Sequence, residues 1–231
     1  MLVLGLDLET SGLEAKKDRI IEIGVVLWCT ASHRPIQVYS DLIHWDDLQI
    51  SEEVTNITGI TTEDIQTYGV SLVAALEKVK TIAKHADYIV AHNGNEFDKK
   101  FMEEAWAQYS DTSISLSWID TLTDLSYPSK ITSRKLNHLA ADHGFLNPFA
   151  HRAIFDVLTM LEILSKYDIN EVVKMAASPT CRIYAKVSFE QKDLAKKEGF
   201  RWDAQARVWF KDIKEVHLVD TKFPFEIYRN S

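Results

Sequence analysis

Cysteine is scarce in this chain: its 231 residues include two, Cys29 and Cys181. They fall in what read as different structural units, so neither a disulfide framework nor a paired-cysteine zinc site can be built from them. A reducing, cytoplasmic setting is expected. Glycine and proline are also sparse, at 8 and 5 residues, and 46% of the chain is apolar. That combination excludes a collagen-like, low-complexity or disordered polymer. Long hydrophobic runs are missing as well. Residues 1–6 are apolar but are broken by Asp7 and lack a basic start, far short of the roughly 20 apolar residues a membrane span needs. Neither secretion nor a membrane partner is expected. What remains is a globular chain long enough for one ordinary domain and a small one.

Positive charge is in deficit, with a net charge of -8. Taken alone this argues against a polyanionic partner, because attraction to phosphates supplies most non-specific nucleic-acid affinity. The distribution alters the argument. Residues 1–180 carry 15 Lys+Arg against 26 Asp+Glu, whereas residues 181–231 carry 11 against 8. Metal ions held by acidic residues would cancel part of the negative charge of the larger segment, since such ions are often the strongest local charges in their sites.

Residues 2–8 and 19–28 are apolar and rich in β-branched side chains, and they predict two strands; residues 37–44 predict a third. Short helical turns follow around Gly59. Residues 71–85 place Leu72, Val73, Leu76, Val79 and Ile82 at one-faced helical spacing behind Ser71 as N-cap. Strands at 86–91 and 116–120 then alternate with helices at 98–108, 135–143 and 152–167. Consecutive strands followed by alternation predict an α/β domain with a mixed sheet flanked by helices. The small, polar, Pro-containing residues 174–180 predict a linker. The expected domains are therefore 1–177 and 178–231, the second a small β-α-β-like module.

Three short segments carry chemistry. Asp7 and Glu9 end the first strand, and alternate residues of a strand share a face, so two carboxylates stand side by side. Paired carboxylates suit hard divalent cations, which take oxygen ligands. The segment 91–98 follows a buried strand and brings Asp98 to the start of a helix. His151 and Asp156 open the last helix of the first domain. A step of five positions puts them about 140° apart around a helix, so His151 must reach the site from the turn or loop preceding that helix.

Asp7-x-Glu9, Asp98 and His151-x4-Asp156, in this order, resemble the three motifs of the DEDDh branch of proofreading-type 3′→5′ exonucleases, which have a ribonuclease-H-like fold. Ile57-Thr-Gly-Ile60, Asp120-Thr-Leu122 and Leu136-x-x-Leu139 support the likeness, which covers about residues 1–168. Three residues separate Asn93 from Phe97, the spacing of the three-prime repair exonuclease form. The resemblance implies two divalent ions, Mg or Mn, with Asp7, Glu9 and Asp156 holding the first, Asp7 bridging to the second and Asp98 acting through ordered water. It implies His151 as general base, a role that suits imidazole near neutral pH. It further implies that Thr10, Leu13, Ile57, Asn93 and Phe97 contact the nucleic acid. The expected reaction is release of nucleoside 5′-monophosphates from the 3′ end of single-stranded or frayed DNA. An exoribonuclease, and an inactive nucleic-acid-binding module, are the alternatives.

The remaining histidines (His33, His44, His85, His138, His143 and His217) read as surface or satisfied core residues, His92 as a structural hydrogen-bonding group, and Asp120 as a helix-capping residue rather than a ligand. In the C-terminal module, residues 186–211 resemble a short module appended to plasmid primases and other DNA-processing proteins. The resemblance and the charge imply that it docks single-stranded nucleic acid or a replication or repair protein. Trp202 and Trp209 are expected to be buried, since so small a module needs large side chains to make a core.

Overall fold

A computed structural model describes residues 1–109 and 114–229. The chain divides into two compact units, Met1–Val173 and Lys174–Ser231. Residues 230–231 of the expected accessory module lie outside the described residues. Among the described residues, no helix is long and apolar enough to cross a membrane.

The first unit begins with β1 (Leu2–Thr10), β2 (Ile20–Cys29) and β3 (Arg34–Leu42). Three helices follow: α1 (Glu52–Thr58), α2 (Thr62–Tyr68) and α3 (Leu72–Ala83). β4 (Tyr88–Ala91), α4 (Asp98–Tyr109), β5 (Ser117–Asp120), α5 (Leu136–Asp142) and α6 (Ala153–Leu164) then alternate. The sheet order is β3-β2-β1-β4-β5. β1 pairs antiparallel with β2 and parallel with β4, so the sheet is mixed, as the sequence predicts.

β1 lies at the centre of the sheet, and its two faces meet different helices. On one face Leu4 lies opposite Leu27, Leu6 opposite Val25 and Leu8 opposite Ile23. This face packs on Leu72, Leu76 and Val79 of α3 and on Phe101 and Met102 of α4. On the other face Gly5 lies opposite Val26, Asp7 opposite Gly24 and Glu9 opposite Glu22. α6 covers this second face. A Cβ on Gly5 would come within 2.7 Å of Val157 and Leu161, and one on Gly24 within 2.6 Å of the Ala153 backbone. Two glycines facing α6 thus let the helix lie directly against the strands that carry Asp7 and Glu9.

Side-chain caps fix the helix starts, at Ser71 as the sequence predicts and at Ser51 and Thr61 besides. Ser51 and Ser71 accept from the backbone N–H groups of Val54 and Ala74, and Thr61 forms a reciprocal box with Asp64.

The predicted linker at 174–180 is corrected by α7 (Ile169–Ala177), which runs through its first half. Ala176 and Ala177 are strong helix formers, and Val172 and Met175 share one buried stripe, which outweighs the small, polar character of the segment. The division between compact units accordingly falls within α7, ahead of the predicted 177/178 boundary.

The second unit contains β6 (Thr180–Lys186), α8 (Lys192–Lys197), β7 (Arg201–Asp203), β8 (Val208–Lys214), α9 (Glu215–Asp220) and β9 (Glu226–Tyr228). Its sheet order is β7-β8-β6-β9, with every pairing antiparallel. The β-α-β element of the sequence reading corresponds to β6, α8 and β8; β7, α9 and β9 complete the sheet. Ile183, Ala185, Ala195 and Phe200 form its buried centre. Trp202 departs from expectation, being 49% exposed, because it lies on the three-residue edge strand β7 with nothing beyond it in the sheet. Trp209 is partly buried against the core.

Candidate active site

Asp7 and Glu9 project from the α6-facing side of β1, and Asp156 enters from the first turn of α6. Ligand-capable atoms of Glu9, His151 and Asp156 all lie within 4.8 Å of one another. Asp98 is the first residue of α4 and is buried. Its Oδ1 accepts the Leu8 backbone N–H at 3.1 Å, which ties α4 to β1 between Asp7 and Glu9. Strand register and two helix N-termini therefore bring together residues from four parts of the chain.

The N-terminus of α6 is anchored from β2. Arg152 is its N-cap residue and makes no side-chain cap bond. The buried Glu22 carboxylate instead accepts the Ala153 N–H at 3.0 Å and Arg152 Nη2 at 2.9 Å. A free N–H at a helix start needs such an acceptor, and Glu22 supplies it across the sheet. His151 has a φ of 61°, in the left-handed region that non-glycine residues seldom adopt. Its N–H donates to Asp156 Oδ2 at 2.8 Å, while Asn147 Nδ2 donates to Asp156 Oδ1 at 2.5 Å. The loop before α6 thus folds back onto the carboxylate of its own helix, holding His151 beside Asp156.

The turn before α4 is held by Asp120, at the end of β5. Its Oδ1 accepts the N–H groups of Asn93 and Leu122 at 2.8 and 3.0 Å, and its Oδ2 that of Asn95 at 3.1 Å. Asp120 is therefore a backbone anchor for the segment leading to Asp98. His92 is structural too, its Nδ1 2.8 Å from Thr121 Oγ1 and its Nε2 2.8 Å from the Arg134 carbonyl oxygen.

Burial and mutual repulsion push the four carboxylates toward protonation. Burial is the largest cause for Asp7, followed by the charges of Asp98, Glu9 and Asp156, and its pKa lies well above the ordinary carboxylate range. Burial, then Asp156 and Glu22, raise Glu9 to about 8; Arg152 opposes the shift. Burial raises Asp98 to about 7 despite the Leu8 hydrogen bond. Asp156 is raised by burial against the lowering effect of the His151 N–H. Acidic groups packed in this way cannot all ionise without added positive charge. An oxygen-rich set of this kind fits hard divalent cations, and Asp7, Glu9, Asp98 and Asp156 are the residues that could hold them.

A cleft of roughly 540 Å³ opens over the site, lined among others by Asp7, His92, Leu136, His151 and Asp156. Lys135 and His138 line it too; His138 is exposed, as a surface residue is expected to be, and its position on the surface is a wall of this cleft. Neither its lone position in the sequence nor any motif marks it; the turn into α5 brings it there. Among the expected nucleic-acid contacts, Leu13 is 84% and Ile57 51% exposed, apolar side chains left open to solvent. Asn93 is exposed in the turn that precedes Asp98. Thr10 is buried and its hydroxyl donates to the Gly12 carbonyl at 2.5 Å. Phe97 packs on Phe101 with ring centroids 5.0 Å apart and contributes to the edge of the core. Glu9, His151 and Asp156 cluster directly, and the five flanking residues lie outside that group.

Residues 4–164 match the exonuclease family RNase_T, and residues 182–215 match a domain of unknown function. A DNA polymerase III PolC-type of Ureaplasma parvum serovar 3 is 30% identical over 162 residues, 68% of this chain and 11% of that protein. The chain thus spans about a tenth of the length of that relative. The DNA polymerase III subunit epsilon of Treponema pallidum is 29% identical over 164 residues, 69% of this chain and 73% of the subunit. Among solved structures, a zinc-bound E. coli exonuclease I complex with single-stranded DNA shares the fold, with a TM-score of 0.65, 18% identity, and coverage of 80% of this chain and 48% of that one.

Proposed function

Because the chain belongs to the exonuclease family RNase_T, we propose that it is a metal-dependent 3′→5′ exonuclease that releases nucleoside 5′-monophosphates from single-stranded or frayed DNA. The observation that carries this reading is the cluster itself: Glu9, Asp98 and Asp156 buried beside the half-buried Asp7, the pKa values of all four raised, with His151 at the edge of the set. A structural role gives no reason to gather so much like charge in a cleft, because buried unpaired carboxylates are costly.

When bound, two divalent ions, Mg or Mn, would stabilise both the attacking and the leaving oxygen of an in-line displacement. Asp7, Glu9, Asp98 and Asp156 would hold them. His151 would take the proton from the attacking water, its place fixed by the bond from its own N–H to Asp156. Leu13 and Ile57 would lie against the terminal bases, while Thr10, Asn93 and Phe97 shape the floor on which the 3′ end rests. Lys135 would offset phosphate charge at the rim of the cleft.

The preference for DNA is supported by the polymerase relatives and by the exonuclease I complex with single-stranded DNA. Residues 178–231 are read as an accessory unit to this activity, with contact to a replication or repair protein as the alternative to direct contact with nucleic acid. The test is digestion of 5′-labelled single-stranded DNA and RNA of one sequence with Mg²⁺, Mn²⁺ or chelator. A metal-dependent ladder that shortens one nucleotide at a time, faster on DNA, is expected. Shortening of RNA alone would make the enzyme an exoribonuclease, and retained binding without cleavage would make it an inactive binding module.

A further inference from the structure

The C-terminal unit contains a groove of roughly 660 Å³ that the exonuclease reading does not use. Part of its surface comes from three neighbouring strands in register, Trp202 opposite Trp209 and Trp209 opposite Ala185, so their side chains share one face of the sheet. The turn before α8 supplies Phe189, and β9 supplies Tyr228. Phe189 is 77% and Trp202 49% exposed, so two large rings stand open to water; the Tyr228 ring is stacked on Tyr184, on the other face of the sheet, and lends only an edge to the groove. A unit whose buried centre, among the described residues, is Ile183, Ala185, Ala195 and Phe200 would gain by covering the two open rings.

The charge around these rings is of one kind. Lys186, Lys192, Lys196 and Arg207 line the groove, and among the described residues no carboxylate side chain does. Lys192 Nζ stands 4.1 Å from the centre of the Phe189 ring. Lys186 pairs with Glu226, and Lys196 with Asp193 at 3.6 Å, both as exposed contacts that exchange easily with other anions. Among the described residues, Lys192 and Arg207 form no ion pair. Outside the groove the pattern is different: Arg182 and Arg201 are both matched by Asp212. The Arg207 turn is also held in shape, since Asp203 Oδ1 accepts the N–H groups of Gln205 and Ala206.

Flat apolar rings flanked by unmatched cations fit a ligand that has π-faces and a negative charge at every repeat. We propose that this groove holds an internal stretch of single-stranded nucleic acid, without sequence preference, with bases stacked on Phe189 and Trp202 and phosphates at Lys192, Lys196 and Arg207. This deepens the accessory reading of the unit and rests on it, but it does not require that the first unit cleave anything. It gives the enzyme a hold on the strand that is independent of the 3′ end.

A covalently closed single-stranded DNA circle tests it, because a circle has no 3′ end to enter an end-directed site. Binding of a fluorescent circle to the full-length chain in chelator is measured by polarisation, alongside Phe189→Ala, Trp202→Ala and the double variant Lys192→Ala/Arg207→Ala. The wild type should bind, and each aromatic substitution should weaken binding by roughly 5- to 150-fold, the loss of one stacked base. The double variant should flatten the slope of log affinity against log salt by about 1.4, for two lost phosphate contacts on a single strand. Phe189 and Trp202 are exposed, so unchanged melting curves will verify that the variants fold. Failure of the wild type to bind the circle, or equal binding by every variant, overturns the proposal. So does capture of a polyglutamate peptide in preference to the circle. Circle binding by a chain that cleaves no linear strand would sink the nuclease reading while leaving the groove intact.

Discussion

Glu22 on β2 and Arg152 at the start of α6 are 130 positions apart, yet Arg152 Nη2 donates to Glu22 Oε1 at 2.9 Å. The other oxygen of Glu22 accepts the Ala153 N–H. Glu22 also lies opposite Glu9 in the strand register. One buried carboxylate therefore sets where α6 begins relative to the strand bearing Glu9, and with it where His151 and Asp156 stand. Glu22→Ala should cost about 1–3 kcal/mol of stability, the loss of charge-assisted hydrogen bonds, and should lower kcat more than it alters KM. Glu22→Gln keeps an acceptor for Ala153 and should recover part of both. Melting curves and steady-state kinetics on one oligonucleotide check this; a stability loss with unchanged kcat would make Glu22 purely structural.

Metal and pH should be linked through the raised carboxylates. In the folded chain Glu9 stays protonated up to about pH 8 and Asp98 up to about 7. In the unfolded chain both ionise near pH 4 to 4.5. The folded state thus binds more protons over that interval, so metal-free stability should fall as pH rises from about 4.5 to about 8. Divalent cations bind the ionised carboxylates and should raise Tm more at pH 8 than at pH 6. Thermal melts at the two pH values, with Mn²⁺ and with chelator, measure the difference. An equal metal-induced shift at both would contradict it.

Asp7 and His151 should separate metal binding from proton transfer. Asp7→Asn and His151→Ala should each remove most turnover, the latter by roughly 10²- to 10⁴-fold, the usual weight of a general base. Only Asp7→Asn should also weaken metal binding measured by calorimetry. Equal metal affinity in Asp7→Asn and wild type would remove Asp7 from the ligand set.

Close approach of α6 depends on Gly24. A Cβ there would stand 2.6 Å from both the Ala153 carbonyl carbon and the Ile154 nitrogen, which are backbone atoms with no room to yield. Gly24→Ala should cost about 1–3 kcal/mol by overpacking and should cut kcat by displacing Asp156. Gly144 provides the contrast: its φ of 86° strains any other residue, but nothing lies within 4 Å of its would-be Cβ. Gly144→Ala should lose about 1–2 kcal/mol and keep its kcat. Equal kcat losses in the two variants would rule out helix displacement as the cause.

Much of this arrangement is legible in the sequence because local signals mark it. The apolar runs ending at Asp7, the capped helix at Ser71 and the spacing of His151 and Asp156 require no knowledge of distant contacts. Glu22 is invisible for the opposite reason: it sits inside the apolar strand RIIEIGVVLW, and its partners at the start of α6, Arg152 and Ala153, lie more than a hundred residues away. Asp120 is seen as a capping residue, but that it anchors the turn leading to Asp98 emerges only when β4 and β5 pair. α7 is missed because Ser178 and Pro179 suggest a linker, while the helix is carried through by the buried Val172 and Met175. Trp202 misleads because composition shows that a small unit needs aromatic core residues without showing which strand forms its edge.

A 3′→5′ exonuclease cuts the terminal phosphodiester first, so a label on that phosphate follows the reaction itself. A single-stranded oligonucleotide carrying its label on the last internucleotide phosphate is mixed with excess enzyme and Mn²⁺, and the labelled products are separated by size. Wild type should release the label as a nucleoside 5′-monophosphate in its first turnover, chelator should stop the release, and Asp7→Asn should not release it. Label appearing only in longer fragments, or released equally by Asp7→Asn, would contradict a 3′→5′ exonuclease centre built on the carboxylates of β1, α4 and α6.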